Sequence, residues 1–331
     1  MRNQKDALKT FQLLHSSMRW RLFIDGYRQN EGRGAFDLSE PGYMEAMDNA
    51  YVRMLESFEE PLSSAIIEQL HEDALSSVDN TDNEHAGEFR DDAPGDFGLR
   101  ASTELDGTQN MSGNVSLDGL REFMATNMQD EVVVSSIGRE RDRFAIYFEG
   151  NDENLLKIMT PEEIYSLLQT QLHKPDQDKK QIRFVVGHEP KTSLRTRVDS
   201  ILDQYHQSLA VAQNQEETLL AIIRMVAQLE KNHVFADGNI RTLVMLVLNR
   251  ELVKHRFTPV ILDNPNQFDM FSTGELLAAV HHGMDVFLQC AQNSKTLYTK
   301  DRLAAQQGGD ATQTHDEEPD PPISEQNNTM L

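Results

Sequence analysis

One short polar stretch of the chain combines residue types that can carry out phosphate chemistry. His233 has the proton affinity that suits a base at neutral pH. Asp237 is a hard oxygen ligand of the kind that Mg²⁺ takes beside phosphates. Gly238 permits a positive φ and a close approach to a ligand, and Asn239 can cap a helix or bond a phosphate oxygen. With the positive charge of Arg241, the spacing predicts a base, a metal ligand and an anion site in one loop.

Two apolar segments flank this loop and must position it. Residues 216–232 carry apolar side chains at the three-and-four spacing of a helix that buries one face. Residues 242–253 leave almost no polar face, which predicts a second helix that is buried nearly all round. The first amides of a helix lack intrahelical partners and the helix dipole adds positive potential there. The start of the second helix is therefore expected to bind an anion.

The order of these residues resembles the motif of the Fic/Doc (Fido) family, H-x-F-x-D/E-G-N-G-R-x-x-R. The matching positions are His233, Phe235, Asp237, Gly238, Asn239 and Arg241. The resemblance implies a mostly α fold, a Fic-type helical bundle with a small β-hairpin flap, preceded here by a helical N-terminal extension. It also implies that His233 is the catalytic base and that Asp237 holds Mg²⁺. The phosphates of a nucleotide are then expected on Gly238, Asn239, Ile240 and Arg241.

Two positions depart from the family motif. Ile240 stands where the family has its second Gly, and a β-branched side chain resists unusual φ values and adds bulk near the phosphates. Val244 stands where the family has its last Arg, so one cation is missing from the far end of a triphosphate. The inhibitory element [ST]-x-x-x-E-[GN] is also incomplete, because its nearest match, Ser64 to Glu68, is followed by Gln. Because Ile240 and Val244 weaken the binding of a triphosphate, a diphosphate-linked donor is an alternative to ATP.

The activity implied by the resemblance is transfer of a nucleotide monophosphate, most simply AMP from ATP, to a Ser, Thr or Tyr hydroxyl of a target protein. The departures at Ile240 and Val244 favour a second hypothesis, in which the donor is a CDP-alcohol, UTP or a nucleotide sugar. A third hypothesis is an interaction protein on a catalytically degenerate Fic scaffold. A metal-dependent hydrolase is disfavoured because no second carboxylate or His cluster occurs at ligand spacing.

Two further family features have counterparts in the chain. Residues 86–90 resemble a G-x-[FY]-R element, which makes Arg90 a candidate site residue, although a solvated loop arginine is an equal alternative. The family's flap adds a strand to the target chain. It is predicted either at residues 131–148 or at the strand 182–186, and the second is preferred because it directly precedes the helix predicted at 193–207.

Composition divides the chain into four parts: a helical N-terminal region (1–75), an acidic loop (76–115), a Fic-like catalytic core (116–300) and a disordered acidic tail (301–331). The single cysteine, Cys290, excludes an intrachain disulfide. The N-terminus lacks the apolar core of a signal peptide, and no run approaches the roughly 18 apolar residues of a membrane span.

The charge and the tail bear on partners and location. A net charge of −23 argues against nucleic acid as a partner. The resemblance to the Fic/Doc family implies a nucleotide and a target protein as partners, with a host protein as one candidate target. The Glu-rich tail resembles the signals of type IV secretion. The sequence thus predicts a protein that is cytoplasmic or secreted into a host cell by a dedicated system.

Overall fold

Helices dominate the part of the chain that the computed structural model describes, which comprises residues 3–79, 81, 83–90, 95–99, 113–127, 144–149, 155–172, 181–186 and 191–308. The α-helices are α1 (Gln4–Phe11), α2 (Tyr43–Glu56), α3 (Ser64–Leu75), α4 (Leu117–Asn127), α5 (Pro161–Leu172), α6 (Lys191–Val211), α7 (Gln215–Lys231), α8 (Leu248–Lys254) and α9 (Thr273–Gly308). Short 3₁₀ turns lie at Ser16–Leu22, Gly26–Glu31, Asn83–His85 and Pro265–Phe268. The prediction of a mostly α fold is confirmed.

The helices predicted on either side of the polar loop lie in the centre of the hydrophobic core. α7 is capped by Asn214, whose side chain accepts a hydrogen bond from the Glu217 N–H at 2.9 Å. After the loop, the chain forms a π-helix over Ile240–Val247 before it continues as α8, and the Leu248 N–H donates to the Leu243 carbonyl, five residues back. The sequence predicted a regular helix here. A segment that is apolar all round has no hydrophobic period, so its sequence cannot distinguish 3.6 residues per turn from a wider turn.

The N-terminal helices pack against this central pair. α2 begins at Tyr43, whose hydroxyl donates to the Phe23 carbonyl at 2.7 Å, and its buried face includes Met47 and Met54. α3 is capped by Ser63, whose hydroxyl accepts from the Ile66 N–H. Within the described residues, these helices and the π-helix share one hydrophobic core. The N-terminal region is therefore continuous with the core around the loop.

The strands form one four-stranded antiparallel sheet in the order β1-β4-β2-β3. They span Gly95–Gly98 (β1), Phe144–Glu149 (β2), Leu155–Met159 (β3) and Gln181–Val186 (β4). β4, the preferred flap segment, pairs with β1 on one side and with β2 on the other. It therefore offers no open edge to a target chain, whereas β1 and β3 are the outer strands of the described sheet. The other candidate flap segment lies largely outside the described residues, since only 144–148 of it belong to β2.

Two further differences from the predicted organisation concern the acidic segments. The stretch 76–115 contains the 3₁₀ turn Asn83–His85 and β1, although its composition predicted a continuous loop. α9 extends to Gly308, so residues 301–308 of the predicted tail are helical, and residues 309–331 lie outside the described part. Within the described residues, no helix combines the length and apolarity needed to cross a membrane.

Candidate active site

The end of α7 presents two ionisable groups on one face. Glu230 and His233 are three residues apart, the spacing at which helical side chains are neighbours. His233 has a φ of 44°, so the chain turns out of the helix at this residue. Its Nδ1 lies 3.1 Å from the Glu230 backbone carbonyl oxygen. Because a carbonyl only accepts hydrogen bonds, the neutral ring carries its proton on Nδ1, and Nε2 is the basic nitrogen.

A second carboxyl, that of Asp269, completes a cluster with Glu230 and His233. One ligand atom of each residue lies within 4.8 Å of the others. Asp269 follows the 3₁₀ turn Pro265–Phe268, and its Oδ2 accepts a hydrogen bond from the Asn114 amide at 2.8 Å. Glu230 is fully buried, and no N–H or O–H group of the described residues donates to either of its carboxylate oxygens.

The electrostatics of this carboxyl pair favour a bound positive charge. Burial raises the pKa of Glu230 well above its ordinary value, and the nearby charge of Asp269 raises it further. Two buried carboxyls at this distance cannot both ionise without compensation. The pair must either hold a proton or receive a cation.

The opposite side of the loop is shaped by Gly238. Its φ is 70°, a value that an L side chain rarely adopts. A Cβ placed on it would lie 2.3 Å from Cδ1 of Leu75 in α3, so the loop approaches that helix more closely than a side chain allows. The Gly238 N–H donates to Oδ1 of Asp237 at 2.7 Å, and the Gly238 carbonyl accepts from the Thr242 N–H at 3.1 Å. The predicted positive φ is therefore present.

Asn239 holds the loop in its shape. Its side-chain oxygen accepts from the Phe235 N–H at 2.9 Å, and its side-chain nitrogen donates to the Phe235 carbonyl, also at 2.9 Å. Both functional ends of the amide are thus used within the loop. A phosphate contact by Asn239 would come from its backbone N–H. The Phe235 ring is buried, so it anchors the loop in the hydrophobic core.

Arg241 lies in the first turn of the π-helix and is almost fully buried. Its Nη2 forms an ion pair with Glu40, and its guanidinium carbon lies 4.9 Å from the centre of the Tyr43 ring. Its Nη1 is buried without a hydrogen-bond partner among the described residues. A buried guanidinium with an unused donor is suited to a phosphate oxygen. Val244, at the position of the family's last Arg, is buried in the apolar core instead.

Two side chains from outside the loop hold its backbone. Arg90 is buried and donates through Nε to the His233 carbonyl and through Nη2 to the Asn232 carbonyl at 3.1 Å. It is not a solvated arginine, nor is it among the residues that line the cavity described below. His71 accepts from the Gly87 N–H at Nδ1, its Nε2 lies 2.9 Å from the Asp237 carbonyl oxygen, and its ring stacks on Phe235 with centroids 3.7 Å apart.

A cavity of about 360 Å³ joins these groups. One end of its lining includes the carboxyl pair, His233 and Asn114. The loop from Ala236 to Arg241 forms a second part. The remaining wall comes from the N-terminal region, which contributes Asp25, Tyr27, Phe36 and Tyr43. The structure thus brings all predicted loop residues to one cavity and adds a wall that the loop pattern could not reveal.

Two places in the cavity have the chemistry of a cation site. Asp237 offers one carboxylate beside the predicted phosphate site, and Mg²⁺ is usually held by one or two carboxylates together with phosphate oxygens and water. Asp237 therefore fits the predicted role. Glu230, His233 and Asp269 form a second group that offers two carboxylate oxygens and an imidazole nitrogen. The sequence prediction that no carboxylate–His cluster occurs was therefore wrong, because Asp269 reaches the other two residues only through the fold.

Three groups of residues were not found by sequence reasoning. Glu230 carries a readable signal, because a charged residue on the apolar face of a helix, one turn before a candidate base, is unusual. Asp269 and Asn114 lie far from the loop in sequence and show no pattern. The N-terminal wall was read only as packing helices.

Comparison with known proteins is consistent with this geometry. A model of the Fic/DOC family matches residues 114–249, a range that contains the whole loop and Glu230 but excludes Asp269 and the N-terminal wall. The chain is also 26% identical over 294 residues to the phosphocholine transferase AnkX of Legionella pneumophila subsp. pneumophila (strain Philadelphia 1). The matched part covers 83% of this chain and 28% of AnkX, so the chain spans little more than a quarter of that relative's length. These similarities support a Fic-fold transferase.

Proposed function

We propose that the protein transfers a phosphorylated cationic alcohol, such as phosphocholine, from a nucleoside diphosphate-linked donor to a hydroxyl group of a target protein. One observation carries this proposal: the buried carboxyl pair of Glu230 and Asp269 lines the cavity directly beside the base His233. The proposal keeps the Fic-type transfer chemistry predicted from the sequence. It selects the CDP-alcohol class from the alternatives to ATP.

The carboxyl pair suits a quaternary ammonium group in charge and in hydrogen bonding. A trimethylammonium group carries a full positive charge but has no N–H to donate. It therefore needs nearby negative charge rather than aligned acceptors, and it tolerates an apolar or aromatic surrounding. Glu230 supplies a desolvated carboxylate without donors, and Asp269 supplies a second carboxylate. Binding the cation would compensate the charge that burial otherwise disfavours.

The similarity to AnkX supports the same class of transferred group. AnkX is a phosphocholine transferase, and its match to this chain spans more of the chain than the Fic/DOC model does. Since this chain corresponds to little more than a quarter of AnkX, the substrate and the target are carried over here as parts of the proposal only.

In the proposed reaction, each group of residues in the site has one task. The target hydroxyl attacks the phosphorus that carries the alcohol, Nε2 of His233 takes the hydroxyl proton, and a new O–P bond forms. The bond from that phosphorus to the bridging oxygen breaks, and the nucleoside monophosphate leaves with the electron pair. Arg241 and the amides at the start of the π-helix stabilise the charge on the phosphate oxygens. The carboxyl pair fixes the alcohol and so orients the phosphorus toward His233.

Mg²⁺ at Asp237 would neutralise phosphate charge and orient the donor. The residues of the chain perform the remaining tasks of binding, orientation and proton transfer.

AMP transfer from ATP is the second candidate, because the loop groups that it needs are the same. His233, Asp237 and Arg241 all line the cavity. Two features favour transfer of a phosphorylated cationic alcohol over AMP transfer. The AMP reaction gives the buried carboxyl pair no role, and Val244 leaves the far end of a triphosphate without the family's last Arg. A host target and delivery through a secretion system remain predictions.

The experiment is intact-mass analysis of lysate proteins incubated with the protein, Mg²⁺ and one donor at a time: CDP-choline, ATP, UTP or a nucleotide sugar. The proposal predicts a mass gain equal to one phosphocholine with CDP-choline, lost with His233→Ala, where removal of the base lowers the rate by about 10²–10⁴-fold.

Glu216→Gln, an exposed change at the other end of α7, is the matched control and should retain activity. A gain of one AMP with ATP alone would replace the proposal with the second candidate. No gain from any donor, together with cellular effects that survive His233→Ala, would favour a degenerate scaffold.

A further inference from the structure

Arg241, the cation of the proposed phosphate site, is held by two residues of the N-terminal region. Its Nη2 forms an ion pair with the Glu40 carboxylate, and its guanidinium carbon lies 4.9 Å from the centre of the Tyr43 ring. Because the Arg241 side chain is only 9% exposed, this ion pair is largely shielded from water. The short segment from Glu40 to Tyr43 therefore binds the guanidinium both through a carboxylate and through an aromatic ring.

The backbone of this segment is itself fixed. The Glu40 N–H donates to the Phe36 carbonyl at 2.8 Å, and the Tyr43 N–H donates to the Glu40 carbonyl at 3.1 Å. The Asp79 N–H, beyond the end of α3, donates to the Pro41 carbonyl at 2.9 Å. The Glu40 side chain therefore starts from a defined point, so its length decides where the carboxylate can meet the guanidinium.

A stack of planar groups lies behind the Tyr43 ring. Phe36 and Tyr43 have centroids 4.7 Å apart and planes 18° apart, and the guanidinium carbon of Arg28 lies 4.2 Å from the centre of the Phe36 ring. The Tyr43 hydroxyl donates to the Phe23 carbonyl at 2.7 Å, which prevents the ring from turning away. The guanidinium of Arg241 therefore packs against a rigid surface.

Nη1 of Arg241 is available to a ligand in the cavity. It is buried and has no hydrogen-bond partner among the described residues, and Arg241 lines the cavity. Glu40 is not among the lining residues, so its carboxylate does not take the place of the donor there. A buried N–H without an acceptor is unfavourable, and a phosphate oxygen would supply the missing hydrogen bond.

We propose that Glu40 is a positioning residue of the donor site, which fixes Arg241 through Nη2 so that Nη1 points to the diphosphate of the donor. The inference rests on the proposed function only in taking Arg241 to bind phosphate, a group that both candidate donors contain. It assigns the placement of the arginine to a residue outside the range that the Fic/DOC model matches.

The proposal separates the length of the Glu40 side chain from its charge. A carboxylate close to a phosphate group repels it, so charge alone would make Glu40 unfavourable for donor binding. The benefit must come from the position that Glu40 gives to the guanidinium. Glu40→Asp keeps the charge and shortens the side chain by one methylene, whereas Glu40→Gln keeps the length and a hydrogen-bond acceptor and removes the charge.

The test is calorimetric titration with inorganic pyrophosphate, which contains the diphosphate unit that CDP-choline and ATP share. We expect Glu40→Asp to bind pyrophosphate at least about tenfold more weakly than wild type, because a charge-assisted hydrogen bond to the phosphate is lost. Glu40→Gln should bind it at least as tightly as wild type. Arg241→Met should also lose about tenfold or more, and adding Glu40→Asp to Arg241→Met should cause no further loss, because Glu40 acts through Arg241.

Glu45→Asp is the matched control, since Glu45 is an exposed glutamate in the first turn of α2 and undergoes the same change. It should bind pyrophosphate as wild type does. Thermal unfolding of each variant confirms that the proteins compared are folded.

Three results would overturn the inference: wild-type affinity in Glu40→Asp, an equal loss in Glu40→Asp and Glu40→Gln, or a further loss when Glu40→Asp is added to Arg241→Met. Wild-type affinity in Arg241→Met, or no binding of pyrophosphate to wild type, would contradict the phosphate site itself and overturn the inference with it. The identity of the transferred group is tested separately by the mass experiment with His233→Ala.

Discussion

At the scale of single residues, the conformation of the loop depends on two positions, Gly238 and Asn239, that do not tolerate other side chains. Gly238 combines a φ of 70° with a contact to Leu75 that leaves no space for a Cβ. Asn239 uses its whole amide to bridge Phe235. The sequence predicted the positive φ of Gly238 but gave Asn239 a capping or phosphate-binding role, because the same amide chemistry serves a cap, a phosphate and a loop bridge. Only the fold shows which partner is in reach.

Gly238→Ala should destabilise the protein by about 1–3 kcal/mol, because the new methyl group strains the backbone and meets Leu75. Urea unfolding measures this free energy. Gly274→Ala is the matched control, since a Cβ at Gly274 meets nothing within 4 Å. Equal unfolding free energies for the two variants would show that the close approach of loop and α3 is not required.

At the scale of elements, the loop is held from both sides. Arg90 reaches the carbonyls of Asn232 and His233 at the end of α7, where helix carbonyls lack intrahelical partners. His71 connects α3 to the Asp237 carbonyl and to the Gly87 amide. These contacts position His233, the proposed base, and Asp237, the proposed metal ligand, through their backbones. Arg90 is thus a positioning residue in this account, although the sequence suggested a candidate binding residue.

Arg90→Met should lower kcat on the order of 10²-fold while KM changes little, because a base displaced by about 1 Å loses that much and the donor contacts remain. Added guanidinium ion should restore part of kcat if the lost group only bridged carbonyls. Arg121→Met, an exposed arginine on α4, serves as the control. A rise in KM without a change in kcat would instead place Arg90 in donor binding.

The helices around the loop could largely be predicted from the sequence, because their hydrophobic patterns are clear. α7 shows its apolar face at helical spacing, so its existence and the position of His233 at its end could be predicted. The π-helix could not be predicted, because Ile240–Val247 is apolar on every side and carries no period. Asp269 could not be found either, since its meeting with Glu230 depends on how the 3₁₀ turn Pro265–Phe268 packs against α7.

At the scale of the whole molecule, the cavity is assembled from three parts of the chain. The region matched by the Fic/DOC model supplies His233, the proposed catalytic base, and the proposed phosphate site. The segment after it supplies Asp269, and the N-terminal region supplies the aromatic wall. Each part has its own chemistry: positive at the loop, aromatic at the wall and acidic at the carboxyl pair. The diphosphate and the cationic alcohol of the proposed donor would complement the positive charge of Arg241 and the acidic carboxyl pair, respectively.

The most direct test of this account compares CDP-choline with the CDP ester of 3,3-dimethylbutanol, the uncharged isostere of choline. If the buried carboxyl pair of Glu230 and Asp269 binds the cation, wild type should show a kcat/KM at least about tenfold higher for CDP-choline, since removing one partner of a buried charge pair costs about 2–5 kcal/mol. Glu230→Gln and Asp269→Asn should each reduce that ratio, while Glu216→Gln should not. Equal kcat/KM values for the two donors in wild type, or a ratio that survives both substitutions, would contradict the account.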